Sequence, residues 1–173
     1  IDNFGAGTIP NRGWSFATQT SEGLQQLPRQ PACLQLIDTD PESGRASITG
    51  VQDLSERIGI RVRGSFSSTW NPKPYSLETW DEYGDDKTAT PLGLPGESDW
   101  ILYYPHPLYD RQLIANTFSW ELSRKTGRYG TRFRFVDTFI NEDGGDLTPA
   151  DRVGVYAFAE KVTRDDDRIE FEP

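Results

Sequence analysis

Residues 57–80 carry the sequence RIGIRVRGSFSSTWNPKPYSLETW, in which a run of alternating side chains meets a polar turn. The alternation involves the apolar Ile58, Ile60 and Val62 and the mainly cationic Arg57, Gly59, Arg61 and Arg63. A period of two is typical of a half-buried strand, so we expect one face in the core and one cationic face. After the turn, Tyr75–Trp80 is predicted to form another strand.

Upstream of this stretch the sequence predicts a β-hairpin. Residues 32–38 are a short apolar run, residues 40–44 have the composition of a turn, and residues 45–49 are predicted to be the second strand. Residues 1–31 show neither strand nor helix periodicity. We expect an irregular arm over 1–31 that contains the aromatic residues Phe4, Trp14 and Phe16, followed by one lobe over 32–173.

Downstream, the clearest element is a helix that begins after Asp110. Arg124 and Lys125 would occupy its last turn and Gly127 would end it. Its apolar positions, at helical spacing, are Leu113, Ile114, Thr117, Phe118 and Leu122. Strands are predicted at 100–104, 131–141 and 153–162, the last two as a hairpin. Together these elements predict an α+β fold, a mainly antiparallel sheet with one dominant helix packed on it.

Composition limits the classes of partner. The 173 residues suffice for one core of ordinary size, and 18 basic against 27 acidic side chains give a net charge of −9. Polyanions would be repelled, so we expect no nucleic-acid partner. The sequence has no apolar run of about 18 residues, so we expect no membrane span. One cysteine excludes a disulfide framework within the chain.

Two isolated residues have both a structural and a chemical interpretation. Cys33 lies in an apolar run, where a small buried side chain is favoured over a reactive thiol because the local sequence has no electropositive neighbour. His106 lies between Pro105 and Pro107, where loop packing is favoured over a general base because no partner can be named.

Residues 141–151, NEDGGDLTPAD, are dense in oxygen ligands and raise the question of calcium. An EF-hand is excluded, because placing Gly144 or Gly145 at the sixth loop position puts Phe139 or Ile140 at the first, where an aspartate is needed. A solvated hairpin loop is favoured, with a non-standard ion site as the alternative. The acidic run at 165–167 is interpreted in the same way, as a solvated turn with cation chelation as the alternative.

The polar turn after residue 63 concentrates groups that suit phosphate. Arg61, Arg63 and Lys73 supply cations, and Gly64 permits a sharp turn or close approach to a ligand. Hydroxyls are supplied by Ser65, Ser67, Ser68 and Thr69. In the structural alternative, the cations pair with carboxylates and the hydroxyls satisfy backbone groups of the turn. Arginine pairs with carboxylates and phosphates equally well, so the residue types alone do not establish a phosphate site. They favour the structural alternative without excluding phosphate.

The order of landmarks along the chain resembles the CotH kinase family, named for a spore-coat protein. Five segments occur in the family's order and cover about residues 57–170. They are 60–68 (IRVRGSFSS), 72–78 (PKPYSLE), 92–95 (LGLP) with 99–102 (DWIL), Asp110 with 113–116 (LIAN), and 154–162 (GVYAFAEKV).

The resemblance implies an atypical protein-kinase-like fold, secreted or on the cell surface, that transfers the terminal phosphate of ATP to protein hydroxyls with Mg or Mn. Phe66 and Pro74 depart from the family pattern, which usually has a small residue and a second lysine there. On the matching positions, the resemblance implies nucleotide-binding roles for Lys73, Arg63, Ser67, Ser68 and Glu160.

The resemblance also places the catalytic and metal-binding aspartates after the 154–160 segment, so neither a catalytic nor a metal-binding residue is assigned. Because phosphoryl transfer depends on metal neutralisation of charge, we expect an amino-terminal portion of a kinase that is inactive alone. Its partners would be the C-terminal part of the parent protein and secreted protein substrates. The alternatives are a non-catalytic structural or interaction module of an extracellular or surface assembly, and a calcium-dependent binding module built on 141–151.

Overall fold

The computed structural model describes residues 1–11, 19–20, 23–24, 28–64, 66–106 and 108–163. Two short strands, β1 (Gln19–Thr20) and β2 (Gly23–Leu24), pair with each other. The main sheet contains β3 (Gln30–Leu36), β4 (Leu54–Val62), β5 (Tyr75–Trp80), β6 (Asp99–Tyr103), β7 (Phe133–Phe139) and β8 (Arg152–Glu160). The helix α1 is Ala115–Lys125, and short 3-10 turns are formed by Phe66–Thr69, Pro91–Gly93 and Pro149–Asp151.

The main sheet has the strand order β3-β4-β5-β6-β8-β7, and every neighbouring pair is antiparallel. The strands predicted at 32–38, 57–63, 75–80, 100–104, 131–141 and 153–162 are confirmed, with ends displaced by up to three residues. The predicted hairpin of the last two is confirmed as the β7–β8 pair. The predicted α+β fold, mainly antiparallel with one dominant helix, is therefore confirmed.

The upstream hairpin is predicted wrongly. The turn at Asp40 forms, with the Gly44 amide donating to the Asp40 carbonyl oxygen at 2.8 Å, but residues 45–49 are not a strand. The partner of β3 is β4, in a register that sets Ala32 opposite Ile58. The reason is the burial of apolar side chains. Ile48 in residues 45–49 is exposed, whereas β4 has an alternating apolar face that β3 extends.

The core lies on one face of the sheet. The predicted alternation in β4 is confirmed, because Ile58, Ile60 and Val62 are all buried. Leu77 and Trp100 continue the same face across β5 and β6, opposite Ile60 and Leu77 in the register. Each fully buried side chain of this size contributes about 1.5–3 kcal/mol relative to exposure, so this face supplies most of the drive to fold. Other core residues are Leu34, Leu36, Leu102, Tyr156, Phe158, Ile9, Leu92, Leu94 and Ile140.

The helix forms where expected but begins late and presents an unexpected face. Leu113 has a positive φ of 58° and lies outside the helix, and the Asp110 carboxylate accepts a hydrogen bond from the Ala115 amide at 2.8 Å. Gly127, with φ of 78°, follows the helix end as predicted. The apolar residues Ile114, Phe118 and Leu122 are 46%, 62% and 51% exposed.

The helix packs on the sheet through a different set of side chains. The Trp120 ring lies 5.4 Å from the Tyr103 ring and 5.8 Å from the Phe133 ring, centroid to centroid. Asn116 Nδ2 donates to the Tyr103 hydroxyl at 2.7 Å, and Thr117 is buried. The prediction that all five apolar positions form the packing face is wrong, because aromatic partners on β6 and β7 select Trp120.

Residues 1–11 are attached to the sheet. Asp2 forms isolated bridges with Cys33 and Asn141, and Ile9 is in the core, whereas Phe4 is exposed. Cys33 is half-buried and not fully buried, because it alternates with the buried Ala32 and Leu34 on β3. Trp14, Phe16 and residues 165–167 lie outside the described residues, and the division at residue 31 stays a prediction.

Candidate functional site

The end of β4 turns sharply at Gly64. The Arg63 amide donates to the Pro74 carbonyl oxygen at 3.0 Å, which extends the β4–β5 ladder by one step beyond Val62 and Tyr75. Gly64 then adopts a φ of 93°, and a Cβ on it would lie 2.0 Å from the Ser67 hydroxyl oxygen. A glycine is therefore required here for both its conformation and the close approach of Ser67. The 3-10 turn Phe66–Thr69 follows.

Lys73 and Ser68 are brought together at this turn. Lys73 Nζ lies 3.3 Å from the Ser68 carbonyl oxygen, to which Asn11 Nδ2 also donates at 2.9 Å. Ser68 itself is fully buried. The Tyr156 hydroxyl donates to the Lys73 carbonyl oxygen at 2.9 Å and so attaches the Lys73 backbone to β8. The fold therefore positions both the backbone carbonyl group and the side-chain ammonium group of Lys73.

Two cations at this strand end have no carboxylate partner within the described residues. Lys73 makes the one contact with Ser68, and the half-buried Arg63 guanidinium makes neither a hydrogen bond nor an ion pair there. Burial lowers the pKa of Arg63 below its ordinary value. Half-buried cations elsewhere are paired, as in Lys161–Asp99 at 2.7 Å and Arg29–Glu78 at 2.7 Å, and the exposed Lys87 pairs with Glu56 at 2.6 Å. The contrast favours an external anion at Arg63 and Lys73.

Part of the turn follows the structural alternative. The Thr69 hydroxyl donates to the Phe66 carbonyl oxygen at 2.7 Å, and the Trp70 amide donates to the Ser67 carbonyl oxygen at 3.2 Å. Thr69 therefore satisfies a backbone group of the turn. Ser65 lies outside the described residues. The Ser67 hydroxyl makes no hydrogen bond to any residue that the structure describes.

Glu160 is not joined to the Lys73 turn by any contact between described residues. Its carboxylate is fully buried and accepts hydrogen bonds from the Tyr129 hydroxyl at 3.0 Å, the Arg132 amide at 2.8 Å and Arg132 Nε. Tyr156, which contacts Lys73, is four residues away on β8, or roughly 13 Å at the rise of an extended strand. Glu160 therefore stabilises the beginning of β7, at the end of β8, whereas Lys73 contacts the middle of that strand.

An aromatic cluster next to the turn was not predicted from the sequence. The Trp70 ring lies 4.5 Å from His106, 6.0 Å from Tyr109 and 5.9 Å from Phe66, between centroids. His106 Nδ1 also accepts a hydrogen bond from the Leu108 amide at 3.1 Å, which agrees with the loop-packing interpretation. The four-residue spacing of Phe66 and Trp70 is compatible with a local contact. Trp70 and Tyr109 are far apart in sequence, so no sequence pattern predicts that they meet.

The loop 141–151 uses its oxygens to build turns. Asn141 Oδ1 accepts from the amides of Asp143 and Gly144, and Asp143 Oδ1 accepts from the Gly145 amide. Thr148 and Asp151 form a reciprocal capping box. Over the described ranges, no group of three or more His, Cys, Asp or Glu side chains is arranged to hold a metal ion. The described residues therefore do not themselves fit the divalent metal that the resemblance implies.

Comparison with known proteins identifies the family of the chain. A family model described as CotH kinase protein matches residues 60–171, which include β4 beyond Gly59, the Lys73 turn, α1 and the β7–β8 hairpin. Comparisons with curated proteins and with solved structures returned no match. In the part of the chain that the structure describes, every helix is too short or too polar to cross a bilayer. Because the match spans more than half of the 173 residues, the chain belongs to the CotH kinase family.

Proposed function

We propose that the chain contributes to ATP binding in a secreted CotH kinase, and that the β4–β5 strand end faces the nucleotide phosphates. Lys73 and Arg63 would neutralise phosphate charge, and the Ser67 hydroxyl would supply a further donor, whereas the fully buried Ser68 would shape the turn. The observation that carries the proposal is that Lys73 and the half-buried Arg63 have no carboxylate partner among the described residues.

Energetics supports an anion at this site. A desolvated guanidinium without a partner is unfavourable, and a charge-assisted hydrogen bond to a phosphate oxygen is worth about 1.5–3 kcal/mol. The Ser67 hydroxyl occupies the space that a Cβ on Gly64 would fill. Backbone of the Gly64 turn and the Ser67 hydroxyl therefore lie close together. A triphosphate is the ligand of this charge that the family uses.

The remaining parts of the reaction are proposed from family membership. We assign Glu160 to the nucleotide-binding half through Arg132, which its buried carboxylate holds in place. The carboxylates for Mg or Mn, and the catalytic group that receives the hydroxyl proton, would come from outside the described residues. The phosphate acceptors would be hydroxyls of secreted proteins. Alone, this chain would bind nucleotide without transferring phosphate.

Isothermal titration of the full natural protein with ATP, in Mg or Mn, tests the proposal. We expect saturable heat and an affinity that falls roughly tenfold or more in Lys73→Ala, which corresponds to the loss of about 1.4 kcal/mol or more. Lys87→Ala is the matched control, because Lys87 is paired with Glu56 away from this strand end. A folded protein that gives no heat with ATP contradicts the proposal.

A second candidate is a non-catalytic interaction module of an extracellular or surface assembly. It is favoured by an exposed apolar stripe, spaced by one helical turn, that runs from the N-cap residue Ile114 to Phe118 and Leu122 of α1. Titration with ATP distinguishes the two candidates. An interaction module gives no heat of binding with ATP, and Phe118→Ser weakens its assembly. A kinase gives ATP heat that Phe118→Ser leaves unchanged.

A further inference from the structure

A second cationic region lies at the outer edge of the sheet, where β7 begins. A depression of about 340 Å³ is lined there by Arg124 from α1, by Arg132, Phe133 and Arg134 from the start of β7, and by residues 92–95. None of these residues belongs to the Lys73 turn. Three arginines therefore line one surface cavity in a chain whose net charge is −9.

Among the residues that the structure describes, the carboxylates that pair with these arginines do not line the cavity. Arg124 pairs with Glu121 on the same helix, and Arg132 pairs with the fully buried Glu160 behind it. Arg134 is the least engaged, since its terminal nitrogen lies 3.6 Å from Asp38 and both side chains are about half exposed. An exposed pair of this kind is worth about 0–1 kcal/mol, so an incoming anion competes easily for Arg134.

Two of the arginines are held in fixed orientations. Arg124 NH1 donates to the Thr131 carbonyl oxygen at 2.7 Å, and its guanidinium carbon lies 5.6 Å from the centre of the Phe133 ring. Arg132 is held by its bonds from Nε to Glu160 at 3.1 and 3.0 Å. Pre-oriented donors lose less entropy when they bind a ligand than mobile ones do. Within the described ranges, Arg134 is held only by its exposed pair with Asp38, so it can exchange that carboxylate for a bound anion.

The rest of the lining is apolar. Leu92, Leu94 and Pro95 face the arginines from the segment after β5, and Phe133 contributes an aromatic ring. The cavity volume is at the lower end of the range for small-molecule sites, which combine apolar walls with a few oriented polar groups. Apolar walls next to guanidinium groups suit a ligand that has both an oxyanion and an apolar body.

We propose that this cavity, the arginine pocket formed by Arg124, Arg132, Arg134, Phe133 and residues 92–95, binds a small organic oxyanion with an apolar or aromatic body. The oxyanion lies against the arginines and the apolar body lies against Phe133 and Leu94. The arginine pocket contains neither Lys73 nor Arg63, the proposed ATP phosphate contacts, although it shares Arg132 with the role proposed for Glu160. Its occupancy does not depend on Lys73 or Arg63.

Nuclear magnetic resonance titration of isotope-labelled protein with phenyl phosphate tests the arginine pocket. We expect saturable shifts of the amide signals of residues 92–94 and 132–134. Arg134→Gln should weaken binding roughly tenfold, the equivalent of one charge-assisted hydrogen bond. Inorganic phosphate at equal ionic strength should bind several-fold more weakly than phenyl phosphate, because it has no apolar body.

The controls separate a defined site from diffuse attraction. Arg45→Gln removes an exposed arginine in the turn after β3, and Lys73→Ala removes the proposed ATP contact; both should leave phenyl phosphate binding unchanged. The inference is overturned if the pocket signals do not saturate, if Arg45→Gln weakens binding as much as Arg134→Gln does, or if inorganic phosphate binds as tightly as phenyl phosphate.

Discussion

The fully buried carboxylate of Glu160 is held by Arg132, whose Nε lies 3.1 Å from one carboxylate oxygen and 3.0 Å from the other. The Arg132 amide and the Tyr129 hydroxyl donate to the same carboxylate, at 2.8 and 3.0 Å. A buried charge of this kind is stable only with its partners in place. The pair fixes the end of β8 to the residues just before β7.

Removing Arg132 should therefore destabilise the protein strongly. We expect Arg132→Ala to lower the free energy of unfolding by about 3–5 kcal/mol, because it leaves a buried carboxylate without its cation. Arg134→Ala is the matched control, two residues away, and should cost less than about 1 kcal/mol, since its pair with Asp38 is exposed. Urea unfolding of both variants measures the difference, and equal losses would show that Arg132 does not compensate Glu160.

Gly59 should tolerate no side chain. It lies in the middle of β4 under the Trp80 ring, and a Cβ would lie 2.1 Å from the nearest ring carbon. The ring cannot move away freely, because Trp80 Nε1 donates to Glu78 at 2.8 Å. We expect Gly59→Ala to lower the free energy of unfolding by about 1–3 kcal/mol through overpacking.

The control for this substitution is Gly145→Ala, in the exposed 141–151 loop. Its Cβ would meet the movable carboxylate of Asp143 at 3.2 Å, so we expect a much smaller change in the thermal midpoint. If Gly59→Ala melted at the wild-type temperature, the position of Trp80 over β4 would be wrong.

The orientation of α1 can be tested by two aromatic truncations two residues apart. Trp120→Ala should lower the free energy of unfolding by about 2 kcal/mol or more, because Trp120 packs against Tyr103 and Phe133. Phe118→Ala should cost less than about 1 kcal/mol, because the Phe118 side chain is mostly exposed. Denaturant unfolding that ranked the two in the opposite order would mean that the apolar face of α1 packs on the sheet.

Buried tyrosines predict a loss of stability in alkali. Burial raises the pKa of Tyr75 to about 12, and burial together with the Glu160 charge raises the pKa of Tyr129 to about 12. Burial raises the pKa of Tyr156 as well. The ordinary value is 10.0, so between pH 10 and 12 the unfolded chain loses protons that the folded chain keeps. Stability should be constant just below pH 10 and fall above it.

Phenolate absorbance and circular dichroism, followed together against pH, check this expectation. The folded protein should keep Tyr75, Tyr129 and Tyr156 protonated above pH 10 and ionise them only as its structure is lost. Tyr129→Phe removes one of the shifted groups and should make the alkaline loss of stability less steep. Ionisation of every tyrosine near pH 10 with the fold intact would contradict the burial of these hydroxyls.

Local periodicity was enough to predict most of the strands and the helix. The alternation at Ile58, Ile60 and Val62 predicts a buried strand face whatever packs against it, and these three side chains are buried in the structure. The pairing of β3 with β4 was missed because pairing depends on which distant strand offers a matching apolar face. The outward turn of Phe118 was missed because Trp120 has aromatic partners that lie far away in sequence.

The candidate site divides in the same way. Gly64, Lys73 and Arg63 could be named from residue types and from the family resemblance. Their lack of carboxylate partners within the described ranges depends on three-dimensional placement, which the sequence does not encode locally. The arginine pocket has no motif at all, because Arg124 lies on a helix, Arg132 just before β7 and Arg134 within β7.

The most direct test of the central claim compares the affinities of ATP and adenosine for the full natural protein and for Lys73→Ala. If Lys73 faces the phosphates, the substitution weakens ATP binding roughly tenfold or more and leaves adenosine binding unchanged. If ATP and adenosine are weakened equally, or if neither affinity changes, Lys73 does not contact the phosphates and the assignment of this strand end is contradicted.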